Sequence, residues 1–194
     1  MSSSLLPIAL ERIDAANSQD PNMEEYQGKS YPKELLYSQR MTDMLNQFAP
    51  NASEVVQLAA RSQHICRWQS PRSDYEMNRQ GYLMWRKNLY KFHADTAGKI
   101  LAEVGYNQDT IEQVQLLLLK KQLKRNEQSQ LLEDVVCLVF LQFYFSAFAI
   151  KHDEEKLISI VQKTWAKMSE AGHQAALKLP LSDADMQLIG KALA

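Results

Sequence analysis

Apolar residues recur at helical spacing along almost the whole chain, and no segment carries a convincing strand alternation. The pattern predicts a first helix over 5–16, then a polar linker over 17–32 with two prolines and a glycine. A second helix is expected over 33–48. It stops ahead of Ala49-Pro50, because the residue before a proline avoids the helical region. Ser53 or Asn51 suits the cap of a third helix over 52–67, and Ser70-Pro71 and Ser73-Asp74 supply turn chemistry for a loop over 69–75. A long fourth helix, 77–104, meets Gly105 at a fitting C′ position. A fifth, opened by Asn107 or Asp109, covers 110–123. The sixth, 128–150, is the most apolar and is expected to be the axis of the core. Helices over 154–170 and 182–193 complete the chain, and Pro180-Leu181-Ser182-Asp183 gives the last one its turn and cap. No internal repeat or low-complexity tract interrupts the pattern. The expectation is one all-α domain over 1–194, a bundle of about seven to eight helices. Within it, 1–32 forms an N-terminal helix and polar arm, 33–150 the core and 151–194 the C-terminal helices.

Composition narrows the class of partner. A chain of 194 residues can bury a real core, and 45% hydrophobic with 23% charged residues is ordinary for a globular protein. A net charge of −1 exerts no general pull on nucleic acid or an anionic membrane, so neither is expected as a partner. The basic run Lys120-Lys121-Gln122-Leu123-Lys124-Arg125 reads as a solvated helix end. Two cysteines, Cys66 and Cys137, make no disulfide framework and suit a reducing, cytoplasmic setting. The opening residues Met1 to Pro7 have neither a basic region nor a long apolar stretch, so no signal peptide is expected. The apolar run from Val135 to Ile150 includes Gln142 and Ser146 and falls short of the roughly 20 residues a bilayer needs. A buried core helix fits it better. Nothing in the pattern decides for or against an oligomer.

Candidate chemistry concentrates in the segment 58–72, LAARSQHICRWQSPR. Arg61, Gln63, His64 and Arg67 interrupt its apolar positions, and the chain then breaks into Trp68 and a Ser-Pro-Arg turn ending at Arg72. So many anion- or metal-binding groups at one helix end are costly to bury without a partner, and such density marks a site. On the fourth helix Arg86 and His93 share a face, with Tyr82 one turn earlier. A core imidazole held by a backbone or carboxylate partner is the competing reading of His64 and of His93. Asp134 enters the most apolar helix, where a carboxylate must either cap it or pair with something specific. His152-Asp153 reads as a solvated turn with an aspartate cap, and His173 as an exposed residue near a helix end. Cys66 and His64 lie two residues apart and so point to different helix faces, which excludes an activated thiolate pair. The six glycines are scattered singly, so there is no phosphate-binding glycine loop. Cys-x-x-Cys and Gly-x-Ser-x-Gly are also absent.

The order of these elements resembles the HD superfamily of helical, mostly metal-dependent phosphohydrolases. Leu36-Tyr37-Ser38-Gln39-Arg40-Met41 looks like its first ligand step, with Tyr37 in place of a histidine. Gln63-His64 occupies the His-Asp slot and Phe92-His93-Ala94 resembles an auxiliary histidine position. Lys120 stands where another histidine would fall, and Leu132-Glu133-Asp134-Val135 resembles the last step, so Asp134 matches directly. Over about residues 20–180 the chain also resembles the family known as domain of unknown function 4202. That resemblance rests on Gln-His-Ile-x-Arg-Trp with Pro-Arg, Tyr-Leu-x-Trp-Arg, Leu-Glu-Asp and Lys-Thr-Trp-x-Lys-Met-Ser, and it implies no particular activity.

The HD resemblance implies a hydrolase for a small anionic, phosphorylated or nucleotide-like substrate, in one of two forms. His64, His93 and Asp134 would make a two-histidine, one-carboxylate set for iron, manganese or zinc, with Glu133 a weaker ligand. In the other form Arg61, Arg67, Arg72, Arg86 and Lys120 replace the metal's charge, with Gln63 and Tyr37 lining the substrate. His64 or His93 would then move a proton near neutral pH, so His64, His93 and Lys120 are the expected catalytic groups. Trp68, Tyr82 and Trp85 are candidates to stack a ring, against an ordinary packing role. Two alternatives stand beside the enzyme: a degenerate HD-like fold that binds an anionic ligand or a partner protein, and a helical scaffold whose polar cluster is an internal ion-pair network.

Overall fold

Side-chain caps begin most of the helices in the computed structural model, which describes residues 5–121 and 123–194. Residues 1–4, on which the leader expectation partly rests, and Gln122 of the basic run lie outside the described residues. Helix α1 spans Leu5–Asn17 and α2 Lys33–Phe48, the latter with the expected bounds. Ser53 accepts from the Val56 N–H and opens α3, Glu54–Arg61. Asn78 opens α4, Arg79–Val104, which stops at Gly105 in the left-handed conformation (φ 102°). Asn107 opens α5, Gln108–Leu118, and Asn126 opens α6, Glu127–Val139. After α7, Phe145–Ala149, the caps Asp153, Ser169 and Ser182 begin α8 (Glu154–Trp165), α9 (Glu170–Ala176) and α10 (Asp183–Leu193). The all-α expectation holds for the bulk of the described chain.

Four departures have physical causes. The polar linker contains a hairpin, β1 (Met23–Tyr26) antiparallel to β2 (Lys29–Pro32). Gln27 and Gly28 both have positive φ (50° and 75°), as a two-residue hairpin turn requires. The strands are too short and polar to register as an alternation, but Arg40 of α2 secures them by pairing with Glu24 at 2.5 Å and lying over the Tyr26 ring.

The third helix ends at Arg61 rather than residue 67, because a tertiary contact overrides local propensity. Cys66 takes a left-handed φ of 51°, and its N–H donates to Asn17 Oδ1 at 3.0 Å. The fifth helix ends at Leu118, ahead of Lys120, another left-handed residue (φ 53°). The sixth element carries a wider, π-type turn over Phe140–Tyr144 between α6 and α7. Its continuous helical run, Glu127–Ala149, is longer than expected and apolar enough by length and composition to cross a membrane. Half of its apolar window is buried, as in the core helix of many globular proteins.

The chain gathers into two compact units, Met1–Gln122 and Leu123–Ala194, a division the helical pattern does not announce. In the first unit α1, α2, α3, α4 and α5 bury Ile13, Met41, Leu45, Leu58, Ile65, Leu101 and Val114. In the second, α6 packs on α9 and α8 on α10, around Val135, Leu138, Leu141, Phe145 and Val161.

Candidate anion site

Three elements of the first unit bring the site together. Glu34 and Tyr37 sit one turn apart on α2, His64 and Arg67 on the turn after α3, and Arg86, Tyr90 and His93 along α4. The first turn of α2 is fixed by Asp20, whose Oδ2 accepts the Glu34 N–H at 3.0 Å. Arg72 stitches the approach to α4. Its guanidinium donates to the carbonyls of Tyr75 (2.9 Å), Glu76 (2.6 Å) and Asn78 (3.2 Å). The Glu76 carbonyl also lies where a Cβ on residue 81 would be 2.1 Å away, so only glycine fits there.

His64 is held on several sides. Tyr37 stacks on its ring with centroids 3.9 Å apart and planes 11° from parallel. Its Nδ1 lies 3.3 Å from Glu34 Oε2, and its Nε2 lies 2.9 Å from Arg67 Nη1. A guanidinium only donates, so Nε2 is the acceptor and the ring proton resides on Nδ1, facing Glu34. The His93 ring centroid is 5.8 Å from that of His64. His93 is buried, and its Nε2 has no hydrogen-bond partner. Buried polar atoms are almost always satisfied, so this nitrogen is open to a further hydrogen-bond partner.

Cations surround the pair. Arg67 also lies over the Trp85 ring, at 5.3 Å from the centroid. Arg86 donates to the hydroxyls of Tyr82 and Tyr90, and Lys120 Nζ is 5.9 Å from the Tyr90 ring centroid. Among the described residues neither Arg67 nor Arg86 forms an ion pair with a carboxylate; their hydrogen bonds go to His64, Tyr82 and Tyr90. Burial, followed by the charge of Arg67, Lys120, Arg86 and Lys33, holds His64 well below the ordinary histidine range. His93 is pushed the same way by burial, His64, Arg67 and Lys120. Both imidazoles are neutral at pH 7. Burial raises the Glu34 carboxyl to about 7, against the lowering pull of Arg67 and Lys33.

The other expected site residues have different partners. Arg61 makes a two-pronged bond to Asp14, at 2.7 and 2.5 Å, and so ties α3 to α1. Arg72 is committed to the loop carbonyls. Both side chains thus have partners within the framework. Gln63 is buried, with its Oε1 unpartnered. Cys66 is buried with its thiol pushed up by burial, which suits no nucleophile.

In the second unit Asp134 has the specific partner its burial demands. Its oxygens accept from the Ser169 N–H (2.7 Å), the Ser169 hydroxyl (2.5 Å) and Gln130 Nε2 (3.1 Å), which fixes the start of α9. Neighbouring Glu133 lies 3.7 Å from Lys167 Nζ. Among the described residues no group of three or more His, Cys, Asp or Glu side chains is arranged to hold a metal ion. Asp134, expected as a ligand beside His64 and His93, has its oxygens engaged by Ser169 and Gln130. Asp153 caps α8 as expected, through the Lys156 N–H. His173 is less exposed than expected: it stacks on Trp165 (centroids 4.3 Å) with Nε2 2.9 Å from the Trp165 carbonyl. Glu34 is the residue sequence reasoning missed, because a glutamate in a first turn reads as ordinary helix-dipole complement.

These features define a mostly helical protein with a buried and a half-buried histidine set among guanidinium groups that no carboxylate pairs with. The chain belongs to the family described as Domain of unknown function (DUF4202), whose pattern it matches over residues 8–189. No curated protein and no solved structure matches it.

Proposed function

We propose that the chain hydrolyses a small phosphorylated molecule at this cluster, without a metal, on an altered HD-like helical scaffold. The observation that carries this reading is the orphaned Nε2 of His93, its ring 5.8 Å from that of His64, in a cluster whose Arg67 and Arg86 no carboxylate neutralises. A phosphoryl group would supply negative oxygens for Arg67 and Arg86 and a hydrogen-bond partner for His93. Arginine's planar fork suits phosphate oxygens, and depressed histidines offer the lone pair that proton removal from water needs. The net charge of −1 and the small size of the cluster favour a small molecule over nucleic acid, and the reading places the protein in the cytoplasm.

Binding without turnover is the second reading, and one observation favours it: His64 has its Nε2 already engaged by Arg67, leaving His93 as the single imidazole free to act. Steady-state hydrolysis of p-nitrophenyl phosphate and of nucleoside monophosphates separates the two. The enzyme reading expects turnover that His93→Gln lowers by about a hundredfold, the scale of one lost proton-transfer group. Phosphate binding with no turnover on any of these esters selects the binder. Turnover untouched by His93→Gln contradicts the assignment of the site.

A further inference from the structure

Glu34 and His64 form a chain with Arg67, carboxylate to imidazole to guanidinium, and nothing in the proposed hydrolysis accounts for the first two. We infer that Glu34 is a positioning residue: through His64 it holds the Arg67 guanidinium at the anion site, while His93 is the imidazole that meets the ligand. This inference rests on the proposed anion site.

The geometry carries it. Arg67 follows a left-handed Cys66, and the side chain reaches inward to two anchors, His64 Nε2 at 2.9 Å and the Trp85 face at 5.3 Å. The first anchor exists only while Nε2 carries the lone pair, which requires the proton on Nδ1. Glu34 Oε2, 3.3 Å from Nδ1, favours that tautomer once its carboxyl is ionised, above about pH 7, and the Tyr37 stack holds the ring plane with Arg67 Nη1 nearer to Nε2 (2.9 Å) than to Nδ1 (3.5 Å). Glu34 is itself fixed, since its N–H is bound by Asp20 and its side chain is buried. His64 therefore spends its basic nitrogen on orienting a cation, whereas the His93 Nε2 is unspent. A carboxylate that sets the tautomer of a histidine and so aims its far nitrogen is a recurring device around reactive centres.

The test compares Glu34→Leu, Glu34→Gln and Arg67→Leu in the full chain. Two measurements are made: imidazole ¹⁵N shifts of His64, which report its tautomer, and titration with inorganic phosphate. The wild-type chain is expected to show His64 protonated at Nδ1. Glu34→Gln keeps a carbonyl acceptor and should preserve both the tautomer and the affinity. Glu34→Leu should release the tautomer and weaken phosphate binding by about tenfold, the worth of one charge-assisted hydrogen bond. Arg67→Leu, on a half-buried residue, removes the donor but leaves Glu34 in place, so it should keep the Nδ1 tautomer while weakening phosphate binding; if Glu34→Leu fails to fold, loss of the Nδ1 preference in Arg67→Leu overturns the inference. An unchanged His64 tautomer in a folded Glu34→Leu also overturns it, whatever happens to binding. So does a shifted tautomer with unchanged phosphate affinity. If the wild-type chain binds no phosphate, the anion site itself has failed, and the tautomer comparison still decides whether Glu34 governs His64.

Discussion

Burial raises the Glu34 carboxyl to about 7, so near neutrality the folded chain keeps a proton that the unfolded chain releases around 4.5. The folded state then binds more protons than the unfolded one across that window, and stability contributed by protonated Glu34 is lost as pH rises from 4.5 through 7. The shift corresponds to about 3 kcal/mol in all, at about 1.4 kcal/mol per pKa unit. Glutamine fills the same space without the charge. Glu34→Gln should therefore match the wild-type chain in urea unfolding at pH 4.5 and exceed it by about 3 kcal/mol at pH 8. Parallel stabilities of the two chains from pH 4.5 to 8 would contradict a buried, elevated carboxyl. His64 and His93 act with the opposite sign. Their folded values are depressed, so stability falls as pH drops below about 6.5, where the unfolded imidazoles take up protons.

At the scale of elements, the two left-handed residues that follow α3 and α5 frame the candidate site. Cys66 directs Arg67 inward, and Lys120 stands where a helix would ordinarily end in glycine. A non-glycine residue there costs about 1 kcal/mol or more. Lys120→Gly should accordingly stabilise the chain by about 1 kcal/mol in urea unfolding while weakening phosphate binding severalfold. Stabilisation without any loss of binding would place Lys120 outside the site.

The same elements show what could be read in advance. Bounds set by local chemistry were legible: α2 with its trailing Ala49-Pro50, the Gly105 stop of α4, the Ser53, Asp153 and Ser182 caps. Bounds set by distant partners were not, since Asn17 on Cys66 and Arg40 on the hairpin leave no mark at their own positions. The dense segment 58–72 contains His64 and Arg67 of the candidate cluster. It could not tell them from Arg61 and Arg72, because a guanidinium aimed at Asp14 or at loop carbonyls looks the same in sequence as one aimed at a ligand.

At the scale of the whole molecule, each unit has its own polar centre with a different balance of partners. Asp134 in the second unit is saturated by Ser169 and Gln130, and serves structure. In the first unit, His93 Nε2 has no hydrogen-bond partner and the guanidinium groups of Arg67 and Arg86 have no carboxylate, a balance that suits the proposed anion. That contrast is the central claim, and calorimetric titration of inorganic phosphate tests it most directly, in the wild-type chain and in Arg67→Gln/Arg86→Gln at matched ionic strength. Saturable binding to one site is expected, weakened by about tenfold or more in the double variant, with affinity falling as salt rises. Absence of saturable binding, or equal affinity in the two proteins, would contradict the account.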